Sequence, residues 1–274
     1  MKTVICLGSK ACDIGELFEN NKNYIVKLID IDIEGDNCFN LKRQSSPEEY
    51  EKNTPNLSKF FSNITNDILF ITYYCDPVSS SLKILEQIKD KNITVLYLFP
   101  DTDFLTSTFY LENKVIFSVF QEYARSGLFK QLILIDERKI DSSIGDISIE
   151  DFHNKYNEFI YQTINSVESI NALEPILSNY TEPKDVSRIC TYGFYDIKNN
   201  IENLFFDFNI VDDKCYNFVI NEDELKNDKI LLKKIKEKMK QNNSNNAKIT
   251  YKIFSCNGDS YCYIMLNTKY IQEI

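Results

Sequence analysis

Apolar residues in the first half of the chain fall in short unbroken runs. Between these runs lie longer stretches in which apolar residues recur every three or four positions. The runs Thr3–Gly8 (TVICLG), Tyr24–Asp32 (YIVKLIDID), Asn66–Tyr74 (NDILFITYY), Ile93–Phe99 (ITVLYLF) and Lys130–Asp136 (KQLILID) have the length and continuity of strands covered on both faces. ACDIGELFEN, DPVSSSLKILEQIKD and TSTFYLENKVIFSVFQEYARSG carry the helical period between them. Leu82, Leu85 and Ile88 share one side of the second of these helices, and Gly127 marks the end of the third. Strands alternating with helices predict a parallel sheet with helices on both faces. Residues 36–58, with Pro47, Pro55 and many Asn, Ser and Glu, predict a long surface excursion.

A long amphipathic helix is predicted from Ser148 to Ile170. Phe152, Tyr156, Phe159, Ile160, Ile164 and Val167 recur on one side, Ser148 stands as N-cap, and Glu150 and Asp151 lie in the first turn. Beyond a turn-rich stretch around Pro175 to Asp185 the pattern changes. RICTYGFY, NLFFDFNI and YNFVINE read as strands, and Asp223–Gln241 (DELKNDKILLKKIKEKMKQ) as one helix. Ala247–Thr268 reads as a hairpin turning at Asn257-Gly258, and the polar patch QNNSNNA as a loop. The expected class is α/β: a parallel-sheet, Rossmann-like N-terminal domain (1–147), a long central helix (148–172) and a smaller α+β C-terminal domain (173–274).

Composition narrows the function classes. In 274 residues, 43% are apolar, which predicts a packed globular chain. The net charge of −10 disfavours generic nucleic-acid binding, including by the lysine run KILLKKIKEKMK, which reads as a helix with a buried stripe and a charged face. None of the eight cysteines forms a C-x-x-C pair, and the only histidine, His153, has no ligand cluster around it. No metal site is expected, and reduced thiols predict an intracellular, cytoplasmic protein. MKTVICLG enters a strand at once, so no secretory signal is expected, and no apolar run approaches the ~20 residues of a membrane helix.

A two-domain chain joined by a long central helix resembles the tubulin/FtsZ superfamily, in its FtsZ-like branch, over nearly the whole length. TVICLGSKACD is similar to that family's first strand and glycine-rich loop ending in Cys-Asn. Gly8 and Cys12 match, while Ser9, Lys10 and Ala11 replace glycines and Asp13 replaces the Asn. ILFITYY resembles the strand before the family's signature glycine loop, and Asp136, Glu137 and Arg138 stand where the family has Asn-Asp-Arg. NEFIYQTINSVESI resembles the central helix, placing Asn157 where an Asn or Asp recognises guanine. NYTEPKDV resembles the loop whose two acidic residues polarise the attacking water in the neighbouring subunit's pocket, placing Glu182 and Asp185 there. The resemblance thus implies nucleotide contacts at Gly8, Ser9, Lys10, Cys12, Ser79, Ser80, Asp136, Arg138 and Asn157, and catalysis by Glu182 and Asp185.

At the second loop the sequence departs from the family. YYCDPVSSS has no glycine, although backbone N–H groups converging on phosphate need that freedom. Asp76 followed by Pro77 predicts a capped helix start, with the Asp76 carboxylate holding the N–H groups a phosphate would use. Ser79, Ser80 and Ser81 remain as hydroxyl donors. Lys10 reads as a phosphate neutraliser or as a solvated lysine, Asn157 as a base reader or an exposed helix residue, and Glu182 and Asp185 as water-positioning acids or as a loop acid and an N-cap. The expected function is a structural or assembly subunit, self-associating head to tail as a homo-oligomer or filament, with GTP binding weakened or lost. The alternative is an active cytoskeletal GTPase that holds GTP, with or without Mg2+, and hydrolyses it across a subunit interface. A monomeric binding module is the third class.

Overall fold

The computed structural model describes residues 1–241 and 247–273. β1 (Lys2–Leu7) leads into α1 (Ser9–Glu19), followed by β2 (Tyr24–Ile31), β3 (Cys38–Leu41) and α2 (Pro47–Lys52). β4 (Asp67–Tyr73), a 3-10 turn (Asp76–Ser80), α3 (Ser81–Glu86) and β5 (Asn92–Phe99) come next. A second 3-10 turn (Thr102–Phe104) and α4 (Ser107–Ser126) precede β6 (Gln131–Asp136), α5 (Glu137–Ile144) and α6 (Ile149–Asn171). The C-terminal part holds β7 (Leu177–Ser178), β8 (Ile189–Asp196), β9 (Ile201–Leu204), β10 (Asp213–Asn221), α7 (Glu222–Asn227), α8 (Leu231–Gln241), β11 (Lys248–Cys256) and β12 (Tyr261–Thr268).

The strands form one continuous sheet in the order β3-β2-β1-β4-β5-β6-β8-β12-β10-β11-β7, with β9 paired to β8. The first six are parallel, and β6 joins the C-terminal strands through Leu132↔Ile189 and Ile133↔Cys190. Alternation along β1 shows why the strand runs are unbroken. Val4 and Cys6 enter a core under α1 and α6, while Ile5 and Leu7 enter a second core on the other face under α3 and α4. A third core lies between the C-terminal strands and α8, which contributes Ile235 and Met239.

α6 and α4 begin and end where their capping residues predict. The Asp151 N–H donates to Ser148 Oγ at 3.2 Å, and Gly127 closes α4 at φ 83 in the left-handed region. Four expectations are corrected. The stretch 36–58 contains β3 and α2, and Leu41, Tyr50 and Leu57 are buried, so it is partly core. Asp223–Gln241 is two helices, because Asp228 Oδ1 accepts the Ile230 N–H at 3.1 Å and so replaces a helical bond. NLFFDFNI is a strand only to Leu204, after which Phe205 and Phe206 turn into the cores. β11 and β12 do not form a hairpin, because β10 lies between them, parallel to β11 and antiparallel to β12. β10 is buried along eight of its nine residues, and the central slot gives both its faces cover. Most of the polar patch expected as a loop, residues 242–246, lies outside the described residues.

The parallel strands set the functional geometry. Gly8, Tyr73–Asp76 and Asp136 cluster at their C-terminal ends. Lys2, Asp67, Asn92 and Gln131 mark the other end. α6 spans the sheet between the two: Tyr156 packs beside Lys10 at one end, and Glu168 pairs with Lys2 at 2.7 Å at the other.

Candidate functional site

Gly8 joins β1 to α1 at φ 92, and a methyl group there would meet Cys75 Sγ at 2.5 Å and Tyr73 Cε1 at 3.1 Å. The glycine therefore admits the chain's own side chains into the space above it. The Tyr73 hydroxyl reaches the start of α1, where it bonds Ser9 Oγ at 3.0 Å and accepts from the Lys10 N–H at 3.5 Å. It occupies a helix N-terminus, the position that favours an anion. Burial pushes the Tyr73 phenol up to about 12, so it remains a neutral hydroxyl there. Burial, reinforced by Asp30 and Asp76, raises the Cys75 thiol well above its ordinary range. Burial likewise raises Cys12, whose Sγ sits 3.6 Å from the Ile29 carbonyl.

Lys10 is not free. Its ammonium pairs with Glu137 and sits 4.2 Å from the centre of the Tyr156 ring, a cation–π contact. Asp136 caps α5 through the Arg138 N–H at 2.9 Å and clasps the same guanidinium through Nε at 3.0 Å and Nη2 at 2.7 Å. Of the serines, Ser79 is half-buried, whereas Ser80 donates to the Tyr50 carbonyl at 3.1 Å, toward α2, and Ser81 is fully buried.

The expected cap at Asp76 is corrected. Cys75 precedes the 3-10 turn in an extended conformation, and Asp76 is its first residue, with no side-chain bond to the turn's N–H groups. Its exposed carboxylate instead lies 3.7 Å from Arg43, which also holds Asp32 at 3.1 Å. The tight 3-10 turn leaves the Asp76 side chain no N–H within reach.

Asn157 is 8% exposed, and its Oδ1 is buried with no partner, so it is not the exposed helix residue of the plainer reading. The neighbouring Tyr156 hydroxyl is buried and unpaired too, and its phenol is raised by burial and by Glu137, Asp141 and Asp136. An unpaired buried polar atom costs desolvation without a return. His153 is exposed.

Glu182 and Asp185 lie at the opposite end of the sheet, on the loop between β7 and β8. They line a cleft of about 920 Å³ with Lys2, Glu168, Tyr180 and Lys252 among others. Both are exposed, and no helix follows Asp185. It sits in a turn closed by the Ser187 N–H on the Lys184 carbonyl at 2.8 Å, so its N-cap reading is corrected. The structure therefore gathers Gly8, Ser9, Lys10, Cys12, Asp136, Arg138 and Asn157 at one end and sets Glu182 and Asp185 at the other. The twelve residues of α6 from Tyr156, beside Lys10, to Glu168, beside Lys2, separate the two ends by roughly 18 Å, so the two sets do not form one site within a single copy. Sequence reasoning missed Tyr73, Cys75 and Glu137 as occupants. The signal available was their place at the C-terminal ends of strands: Tyr73 ends β4, Cys75 immediately precedes the 3-10 turn and Glu137 begins α5.

No protein-family model matches the sequence, and no curated protein matches it. Solved structures do. A GTPγS-form protofilament of TubZ from Bacillus thuringiensis serovar israelensis aligns with a TM-score of 0.70 at 11% identity, over 98% of this chain and 86% of that one. CetZ from Methanosaeta thermophila aligns at 0.67 and 14% identity, over 97% and 86%. The FtsZ dimer of M. jannaschii aligns at 0.61 and 10%, over 98% and 88%. The fold is that of the tubulin/FtsZ superfamily.

Proposed function

We propose that this chain, which carries the tubulin/FtsZ fold, is a divergent cytoskeletal subunit. It assembles head to tail in the cytoplasm and holds guanine nucleotide weakly or not at all. One observation carries the reading: the end of the sheet that would cradle phosphate is filled by the chain's own groups. The Tyr73 hydroxyl sits on the start of α1, Cys75 sits over Gly8, and Lys10 is neutralised by Glu137. A triphosphate would have to displace neutral and paired groups that are already satisfied, and it would enter beside Asp76, Asp136 and Glu137. Self-association is supported by the opposed ends of the molecule, by TubZ having been solved as a protofilament, and by the rule that heterologous contacts that do not close give filaments.

Nucleotide content tests this directly. Freshly purified protein is expected to carry substoichiometric nucleotide and to pellet in a concentration-dependent way without any. Saturating GTP is expected to leave Tm unchanged, whereas a ligand at a hundred times its Kd would stabilise by about 2.7 kcal/mol. Stoichiometric guanine nucleotide, or a GTP-dependent rise in Tm of several degrees, overturns the reading.

One observation favours the second reading, an active GTPase. Asn157 holds a buried amide oxygen without a partner, at the position where the resemblance puts the base. In that reading GTP, with or without Mg2+, binds at the Gly8 end, and Glu182 and Asp185 of the next subunit polarise the water. GTP turnover that disappears in both Glu182→Ala and Asp185→Ala would establish it.

A further inference from the structure

Charge is unevenly placed on this acidic chain. α8 carries Lys233, Lys234, Lys236, Lys238 and Lys240 against a single acid, Glu237. Its apolar side is committed to the third core through Ile235 and Met239. On the outer side Lys233, Lys236 and Lys240 are exposed. Lys233 reaches Glu237 at 3.9 Å, and among the described residues Lys236 has only a distant ring contact with Tyr251. The opposite situation holds on the flank formed by α1 and the β2–β3 connection. Asp13, Glu16, Glu19, Glu34 and Asp36 are all exposed there. α1 and the connection share this field at Cys38 and Asn37: Glu19 and Glu16 both raise the Cys38 thiol after burial does, and the Asn37 amide reaches across to Glu19.

These two surfaces cannot meet within one molecule. α1 packs on the first core, near the β3 edge of the sheet. α8 packs on the third core, on the other face, at the far end of the strand order. We infer that the lysine face of α8 docks on the acidic α1 and β2–β3 flank of a second copy of this chain, a lateral contact distinct from the head-to-tail ends. Each copy offers one of each surface, so the contact is heterologous, and it propagates sideways where the rotation between copies does not close a ring. Complementary charge, not apolar burial, holds it, and it weakens as salt shortens the screening length. An anionic membrane is the poorer occupant, because α8 has no apolar stripe left to insert. Nucleic acid is the poorer one too, because the acidic flanks of the same molecule repel it.

The test is charge reversal with rescue, read by sedimentation velocity at 50 mM and 300 mM salt and by strand counting in negative-stain images. Wild-type protein is expected to form multi-stranded or larger particles at low salt that resolve into single strands or monomers at high salt. Lys233→Glu, Lys236→Glu and Lys240→Glu together are expected to weaken lateral association about tenfold. Adding Asp13→Lys and Glu16→Lys is expected to restore it. Circular dichroism of each variant checks that α8 still folds. The inference fails if low-salt association is insensitive to the α8 reversal, or if the flank reversal does not rescue it. It also fails if the α8 reversal instead abolishes retention on duplex DNA or on phosphatidylserine vesicles. It does not depend on the head-to-tail proposal. Single strands that survive every reversal leave that proposal standing, and salt-sensitive pairing without strands removes the head-to-tail proposal alone.

Discussion

The two ends of the parallel sheet differ in how their polar groups are satisfied. At the Gly8 end, Tyr73 bonds Ser9 and Lys10, Lys10 pairs with Glu137, and Asp136 clasps Arg138, while Asn157, Tyr156 and Ser81 are among the described residues that keep a buried atom unpaired. At the Glu182 end, a polar cleft of about 920 Å³ stands open, and Glu182 and Asp185 on its rim are exposed. One sheet thus ends in bonded side chains on one side and in an open polar cleft on the other. The lesson is that the space above a strand-end glycine can be taken by the chain's own side chains, as Tyr73 and Cys75 take the space above Gly8.

The largest effect should come from disturbing the filled end. Gly8→Ala must place a side chain at φ 92 and 2.5 Å from Cys75 Sγ. It is expected to cost about 3 kcal/mol in urea unfolding. Combining it with Cys75→Ala should recover about 1 kcal/mol, and full additivity of the two would show that the pair does not touch.

Alkaline pH probes the same end more gently. The Tyr73 phenol lies near 10 in the unfolded chain and at about 12 in the folded one. Its contribution is therefore fully present below pH 10 and is lost as pH rises through 12. That loss is worth about 2 kcal/mol. Tyr73→Phe should unfold with a shallower pH dependence over that window than the wild type, and an unchanged slope would remove Tyr73 from its place at α1.

The smallest effect belongs to the open end. Glu182→Ala and Asp185→Ala are expected to stay within about 0.5 kcal/mol of wild-type stability, because both side chains are exposed. Pelleting at fixed protein concentration should nevertheless fall in both.

The local sequence made much of the fold legible. The five apolar runs, the Ser148 cap and the Gly127 stop all mark real elements, because burial on two faces and helix capping are written in neighbouring residues. The C-terminal strand order was not legible. Asn257-Gly258 has the composition of a hairpin turn, yet β10 intervenes between the strands it joins, and no local signal reports a strand inserted from earlier in the chain. At the site, the absence of glycine after β4 was visible, but its consequence was assigned to the wrong group. Asp76 cannot cap a 3-10 turn that begins at its own position, and Tyr73 and Cys75 take the space instead.

The sequence alone determined the layered α/β architecture, the long helix through its middle and the absence of glycine between β4 and α3. Each of these follows from spacing within a few residues. Tertiary structure decided the rest: the pairing of Lys10 with Glu137, the burial of Asn157, the Tyr73 hydroxyl on α1, and the separation of Glu182 and Asp185 from all of them. Those groups are brought together or held apart by strand order and by the length of α6, quantities that no window of neighbouring residues contains.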